Sequence, residues 1–127
     1  MTFNISVLRL EEQVRIDPTR FEELSASHGT TGAENLMARV VGELALLLTT
    51  MVRQYSEGNL KGFARGLRSL HRMADEVGMA TLSRATEGVR VSLRRGDSTA
   101  LAATWARCLR LGEQSLLADW DAQDFSG

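Results

Sequence analysis

The 127-residue chain contains one cysteine, one proline and two histidines, and only 6% of it is aromatic. A lone cysteine, Cys108, excludes an internal disulfide framework and a cysteine-based zinc site, and it fits a reducing, cytoplasmic setting. A lone proline, Pro18, with eleven glycines scattered singly, is unlike an all-β protein punctuated by turns. Excess charge of one sign is also missing. Fifteen basic residues face sixteen acidic ones, a net charge of −1, so nothing draws the whole chain toward nucleic acid or an anionic membrane. The longest apolar run, "LALLL", is far too short to span a bilayer. The opening "MTFNISVLRLEEQVRI" has no basic leader and meets charge at Arg9, Glu11 and Glu12, so neither a secretory signal nor a membrane span is expected there.

Several chemistries are absent as patterns. The glycines form no GxGxxG or GxxxxGK[ST] cluster, which argues against nucleotide hydrolysis. His28 and His71 fall in separate helices, outside any Glu-x-x-His or His-x-x-x-His arrangement, so no metal is expected. Serines and threonines fall at caps and exposed turns with no patterned base beside them, leaving no nucleophile triad. Neither an enzyme nor a cofactor site is expected. Cys108 lies within an apolar stripe and reads as a small buried hydrophobe, while Met37, Met51, Met73 and Met79 read as core filling.

What the sequence does contain is helical periodicity. Residues 1–16 have no clear period and are left as an N-terminal arm. Asp17 followed by Pro18 is an N-cap with proline at the first helical position, where its missing N–H costs nothing. This predicts a short helix, "PTRFEELSASH", ending at Gly29. From Ala33 the apolar residues recur at Leu36/Met37, Val40/Val41, Leu44, Leu47/Leu48, Met51/Val52 and Tyr55, a long amphipathic helix closed by Gly58. Asn59 can cap the next helix, with apolar Leu60, Phe63, Leu67, Leu70, Ala74 and Val77, closed by Gly78. Leu82, Ala85, Val89 and Leu93 mark another, stopped at "RRGD" by Gly96. Asp97 or Ser98 starts the last, with Leu101, Trp105, Cys108, Leu109, Gly112 and Leu116. Residues 120–127 form an acidic tail, in which Trp120 and Phe125 could pack back. Four helices with short connections predict an all-α fold over 17–119, an antiparallel four-helix up-down bundle with a short leading helix across one end.

Advancing about 100° per residue along the 60–77 helix puts its apolar residues in one sector and Lys61, Arg65, Arg68 and Arg72 roughly opposite. These four make a continuous cationic stripe with no acidic residue inside it, either a solvated face or a surface for an acidic partner. His71 sits on the flank, where its ring can lie along Leu67 and Ala74 while a nitrogen reaches water. Gly62 and Gly66 each cost up to about 1 kcal/mol relative to alanine in a helix interior. Their spacing leaves room for a neighbouring helix or a partner backbone.

From "VRIDPTRFEEL" through "GFARGLRSLHRMADEVGMATLSRATEGVRVSLRRGD", roughly residues 14 to 119, the chain resembles the histidine-containing phosphotransfer (HPt) domains of bacterial two-component phosphorelays. The resemblance implies the same bundle with a short leading helix, and a response-regulator receiver or a histidine kinase as partner. The family's active motif is His-x-Leu-Lys-Gly with a second glycine ten residues after the histidine. Setting that glycine at Gly78 puts the phosphoacceptor position on Arg68, the leucine on Leu70, the lysine on His71 and the motif glycine on Arg72. Only the leucine is kept. A guanidinium holds its proton and cannot accept a phosphoryl group as a neutral imidazole does. The resemblance therefore implies a docking module without ordinary phosphotransfer, bound through Lys61, Arg65, Arg68 and Arg72. His71 is the alternative phosphoacceptor, about 60° around and about 4.5 Å along the helix from Arg68. A structural or dimerising bundle unrelated to phosphorelay is the further alternative.

Overall fold

The computed structural model describes residues 18–117. The arm over 1–16, the Asp17 cap and the tail over 120–127 lie outside the described residues. Among those described, every regular element is a helix: α1 (Pro18–Ser56), α2 (Leu60–Glu76), α3 (Ala80–Arg95) and α4 (Ser98–Leu117). The fold is all-α. Each helix packs on its neighbour in sequence, and α4 also packs on α1.

The helix boundaries follow from the capping residues. Asn59 accepts a hydrogen bond at its side-chain oxygen from the Gly62 N–H at 3.0 Å, and Asp97 does the same for Ala100 at 3.0 Å, so Asp97 rather than Ser98 caps α4. Gly58, Gly78 and Gly96 adopt positive φ just past the ends of α1, α2 and α3. There a left-handed residue lets the next N–H reach back to an orphan carbonyl, as Met79 does to Ala74 at 2.7 Å. Gly29 has φ 76° and ψ 164°, which no α-helix contains, so the range given to α1 comprises a leading helix and a long helix that meet in a kink at the predicted break.

The core draws Met37, Val40, Leu44, Leu48 and Met51 from α1, Phe63, Leu67, Leu70 and Ala74 from α2, Leu82, Ala85 and Val89 from α3, and Leu101, Trp105, Cys108 and Leu111 from α4. Phe63 meets Trp105 edge-on with centroids 4.9 Å apart, and Tyr55 lies 5.4 Å from Phe63. Such contacts add about 0.5–1.5 kcal/mol beyond area burial. Three expected core positions move, and Val52 on α1 is one of them, exposed while its neighbour Met51 is buried. Leu60, the first residue of α2, is 46% exposed. On α4 the buried position is Leu111, with Leu109 only partly buried at the edge of the stripe.

Gly62 and Gly66 make room for the neighbouring helix. A Cβ on Gly66 would fall 2.6 Å from Cγ of the fully buried Met51, and one on Gly62 would fall 2.5 Å from the Gln54 side-chain nitrogen. Gly112 does the same for Leu48 on the other flank of α1, at 2.8 Å. Close approach to α1 on both sides outweighs the helix-propensity cost of these glycines.

The segment Gly29–Ser56 is long and apolar enough to cross a membrane by length and composition, which the short "LALLL" run did not suggest. Its inner side is built into the core through Met37, Val40, Leu44, Leu48 and Met51. Its outer side is exposed, with Leu46 at 73%.

Cys108 is buried as expected. Burial pushes its thiol from 9.0 up to about 12, with Arg107 pulling slightly the other way. In the unfolded chain the thiol ionises near its ordinary value, whereas the folded protein retains the proton. The stabilisation is therefore complete below pH 9 and is lost progressively as pH rises toward 12, at about 1.4 kcal/mol per pH unit. Urea unfolding at pH 8 and pH 10 should reveal this increment in the wild type and not in Cys108→Ala.

Candidate functional site

Lys61, Arg65, Arg68 and Arg72 are all exposed on α2, opposite the buried Phe63, Leu67, Leu70 and Ala74. None forms an ion pair among the described residues. The stripe does not act alone. Arg68 shares a cleft of about 170 Å³ with Ala64 and Leu67 from α2 and with Arg90, Leu93 and Arg94 from α3. Three arginines and three apolar residues thus line it. The one carboxylate paired there is Glu87, 3.0 Å from Arg90 on the same helix, with both side chains partly exposed. A surface pair of this kind is worth about 0–1 kcal/mol and leaves the cleft with a surplus of two positive charges.

This geometry supplies two residues that the single-helix reading missed as site residues. In the sequence Arg94 entered only as part of the "RRGD" stop, and Arg90 had no role. Both line the α2–α3 cleft, on the side of α3 next to its buried residue Val89. Lys61, Arg65 and Arg72 do not line this cleft, although they continue the same face of α2.

His71 lies half-buried where α2 meets α3. Its Nδ1 is 3.1 Å from Ser83 Oγ and 3.2 Å from Thr86 Oγ1. This corrects the placement of hydroxyl side chains at caps and exposed turns: Thr86 is fully buried, and Ser92 and Ser115 are buried as well. The Thr86 hydroxyl donates its only hydrogen to the Ser83 carbonyl at 2.6 Å. Toward His71 it can therefore only accept, whereas the Ser83 hydroxyl can donate to Nδ1 or accept from it, so the Thr86 contact favours the tautomer with the proton on Nδ1. In that neutral tautomer the lone pair is on Nε2, the nitrogen turned away from the hydroxyls. Nitrogen-15 spectra should report the Nδ1–H tautomer, and Thr86→Val should shift the population toward Nε2–H while far-ultraviolet circular dichroism stays unchanged.

Among the described residues no three His, Cys, Asp or Glu side chains gather into a metal-binding group. His71 has the Ser83 and Thr86 hydroxyls for neighbours, which orient the ring. Chemically, the surface offers a cationic cleft beside one oriented imidazole.

No family model, characterised protein or solved structure matches the chain. The assignment of a role rests on this surface and on the sequence pattern.

Proposed function

We propose that the chain is an HPt-like signalling module of a bacterial two-component system, docking a response-regulator receiver or a histidine kinase through its α2–α3 face. The observation that carries this reading is the cleft formed by Arg68, Arg90 and Arg94 at the position where the resemblance puts the phosphoacceptor. A phosphoryl group or an acidic pocket meets there a concentrated positive charge, extended by Arg72, Arg65 and Lys61. Arginine at position 68 binds and does not accept phosphoryl groups, so the module binds without ordinary relay.

The fold reading belongs with this function. We take the four helices as an antiparallel up-down bundle, with the stretch before Gly29 as its leading helix. The ring of packed helix pairs and the two- or three-residue connections support it. So does the order of contacts along the α2–α3 face: His71 meets Ser83 and Thr86, whereas Ala64 shares its cleft with Leu93 and Arg94. A cytoplasmic setting accompanies the reading.

A second reading, active relay through His71, is favoured by one observation, the hydroxyls that hold Nδ1 and leave Nε2 as the basic nitrogen. Mixing the protein with receiver carrying radiolabelled aspartyl phosphate separates the two. Docking without relay predicts a salt-sensitive complex with the label remaining on the receiver. Label that moves to this chain and is lost in His71→Gln establishes relay instead. No association with any receiver or kinase of the source organism would leave a structural or dimerising bundle.

A further inference from the structure

The outer side of α1 carries a pattern that the docking face does not use. Positions 35, 38, 39, 42, 46 and 49, roughly opposite the core residues, are all exposed. Leu46 is 73% exposed, and only 28% of the most apolar stretch of this helix is buried. Leu46 and Ala38 thus lie exposed on either side of Gly42, a small apolar strip along this face. At Gly42 an added Cβ would have nothing within 4 Å, so the backbone there is open to close approach. Arg39 and Glu43 lie about 40° apart on one flank of this side. Neither has an ion-pair partner among the described residues.

We infer that a second copy of this chain docks antiparallel on this side of α1, about a two-fold axis at Gly42. Such an axis sets each residue opposite the one equally far on its other side. Gly42 then faces itself, and Ala38 faces Leu46 of the second copy. Like flanks meet across the axis, and Arg39 lies within about 3 Å, measured along the helix, of Glu43 in the other copy. Two reciprocal ion pairs therefore flank an apolar centre with glycine at the crossing point, a self-complementary patch of the isologous kind.

The charges discriminate between arrangements. Parallel pairing would carry the Arg39–Glu43 flanks to opposite sides of the contact, so no ion pair between them would cross it. Antiparallel pairing centred on Leu46 would set Arg39 on Arg53. The axis near Gly42 brings Arg39 and Glu43 together while covering Leu46. A bilayer is a poorer occupant, since Arg39, Glu43 and Arg53 lie on the exposed side and insertion would strip Met37, Leu44 and Leu48 from the core.

Sedimentation equilibrium of the full chain up to about 200 µM tests this, a range that captures weak interfaces. A reversible monomer–dimer equilibrium is expected. Gly42→Leu, which fills open space and favours helix, should weaken it at least about tenfold with no loss of thermal stability. Arg39→Glu and Glu43→Arg should each weaken it, and the double exchange Arg39→Glu/Glu43→Arg should restore it. A wild type that stays monomeric, a dimer indifferent to Gly42→Leu, or a double exchange that fails to restore association would overturn the inference. So would Leu46-dependent co-sedimentation of the monomer with phosphatidylcholine–phosphatidylglycerol vesicles.

Discussion

Reversing Arg68 and Arg94 together to glutamate is expected to weaken association with a receiver about 100-fold at low salt, or about 2.7 kcal/mol. Both side chains are exposed and unpaired among the described residues, so their replacement leaves the core and helix ends in place. Each change removes one attraction and adds one repulsion inside a cleft of about 170 Å³, where an incoming anion cannot avoid either group. The surplus of two positive charges becomes a deficit, and the salt dependence of binding should flatten or invert. Lys61→Glu is the control. That lysine lies on the same helix face but outside the cleft, so its reversal should cost at most about threefold, chiefly through the association rate. Titration calorimetry at two salt concentrations reads both effects, and equal losses for the double reversal and the control would remove the cleft from the docking surface.

Gly66→Ala is expected to destabilise the fold by about 1–2 kcal/mol, although alanine is the better helix former by about 1 kcal/mol. The added methyl would fall 2.6 Å from Met51 Cγ and 2.9 Å from its sulfur, inside any tolerable contact. Met51 is fully buried among core residues of all four helices and has little space to withdraw into. Met51→Ala alone should cost about 2–5 kcal/mol through the cavity it leaves. Combined, the two changes partly cancel, because the new methyl occupies space that the methionine vacates. The double variant should be more stable than the sum of the single losses by at least about 1 kcal/mol. Chemical denaturation of the four proteins completes the cycle, and strict additivity would mean that Gly66 and Met51 do not share this contact.

These two results divide along the line between what one helix reveals and what needs two. Helix ends were legible because their chemistry is local: Asn59 and Asp97 cap the residues three ahead of them, and Gly58, Gly78 and Gly96 stop helices a few residues behind. The inner sides of α1 and α2 were legible because spacing alone determines them. Leu60 was misread because periodicity takes no account of where a helix begins. The Ser83–Thr86–His71 cluster and the inclusion of Arg90 and Arg94 with Arg68 were not legible. Each depends on which side of α3 faces α2, a property of packing that the residues of either helix leave open. Gly62 and Gly66 were visible as anomalies, but their occupants, Gln54 and Met51, come from another helix.

The left-handed residue at position 29 changes what the length of α1 means. Its 39 residues look like one rigid rod, but between Thr19 and Ser27 the only side chain described as buried is Leu24. Continuous burial begins at Ala33, beyond the break. The cooperative unit therefore starts at the turn after Gly29, not at the first helical residue. Among the described side chains of the preceding segment, Leu24 is the buried apolar contact with the rest of the fold.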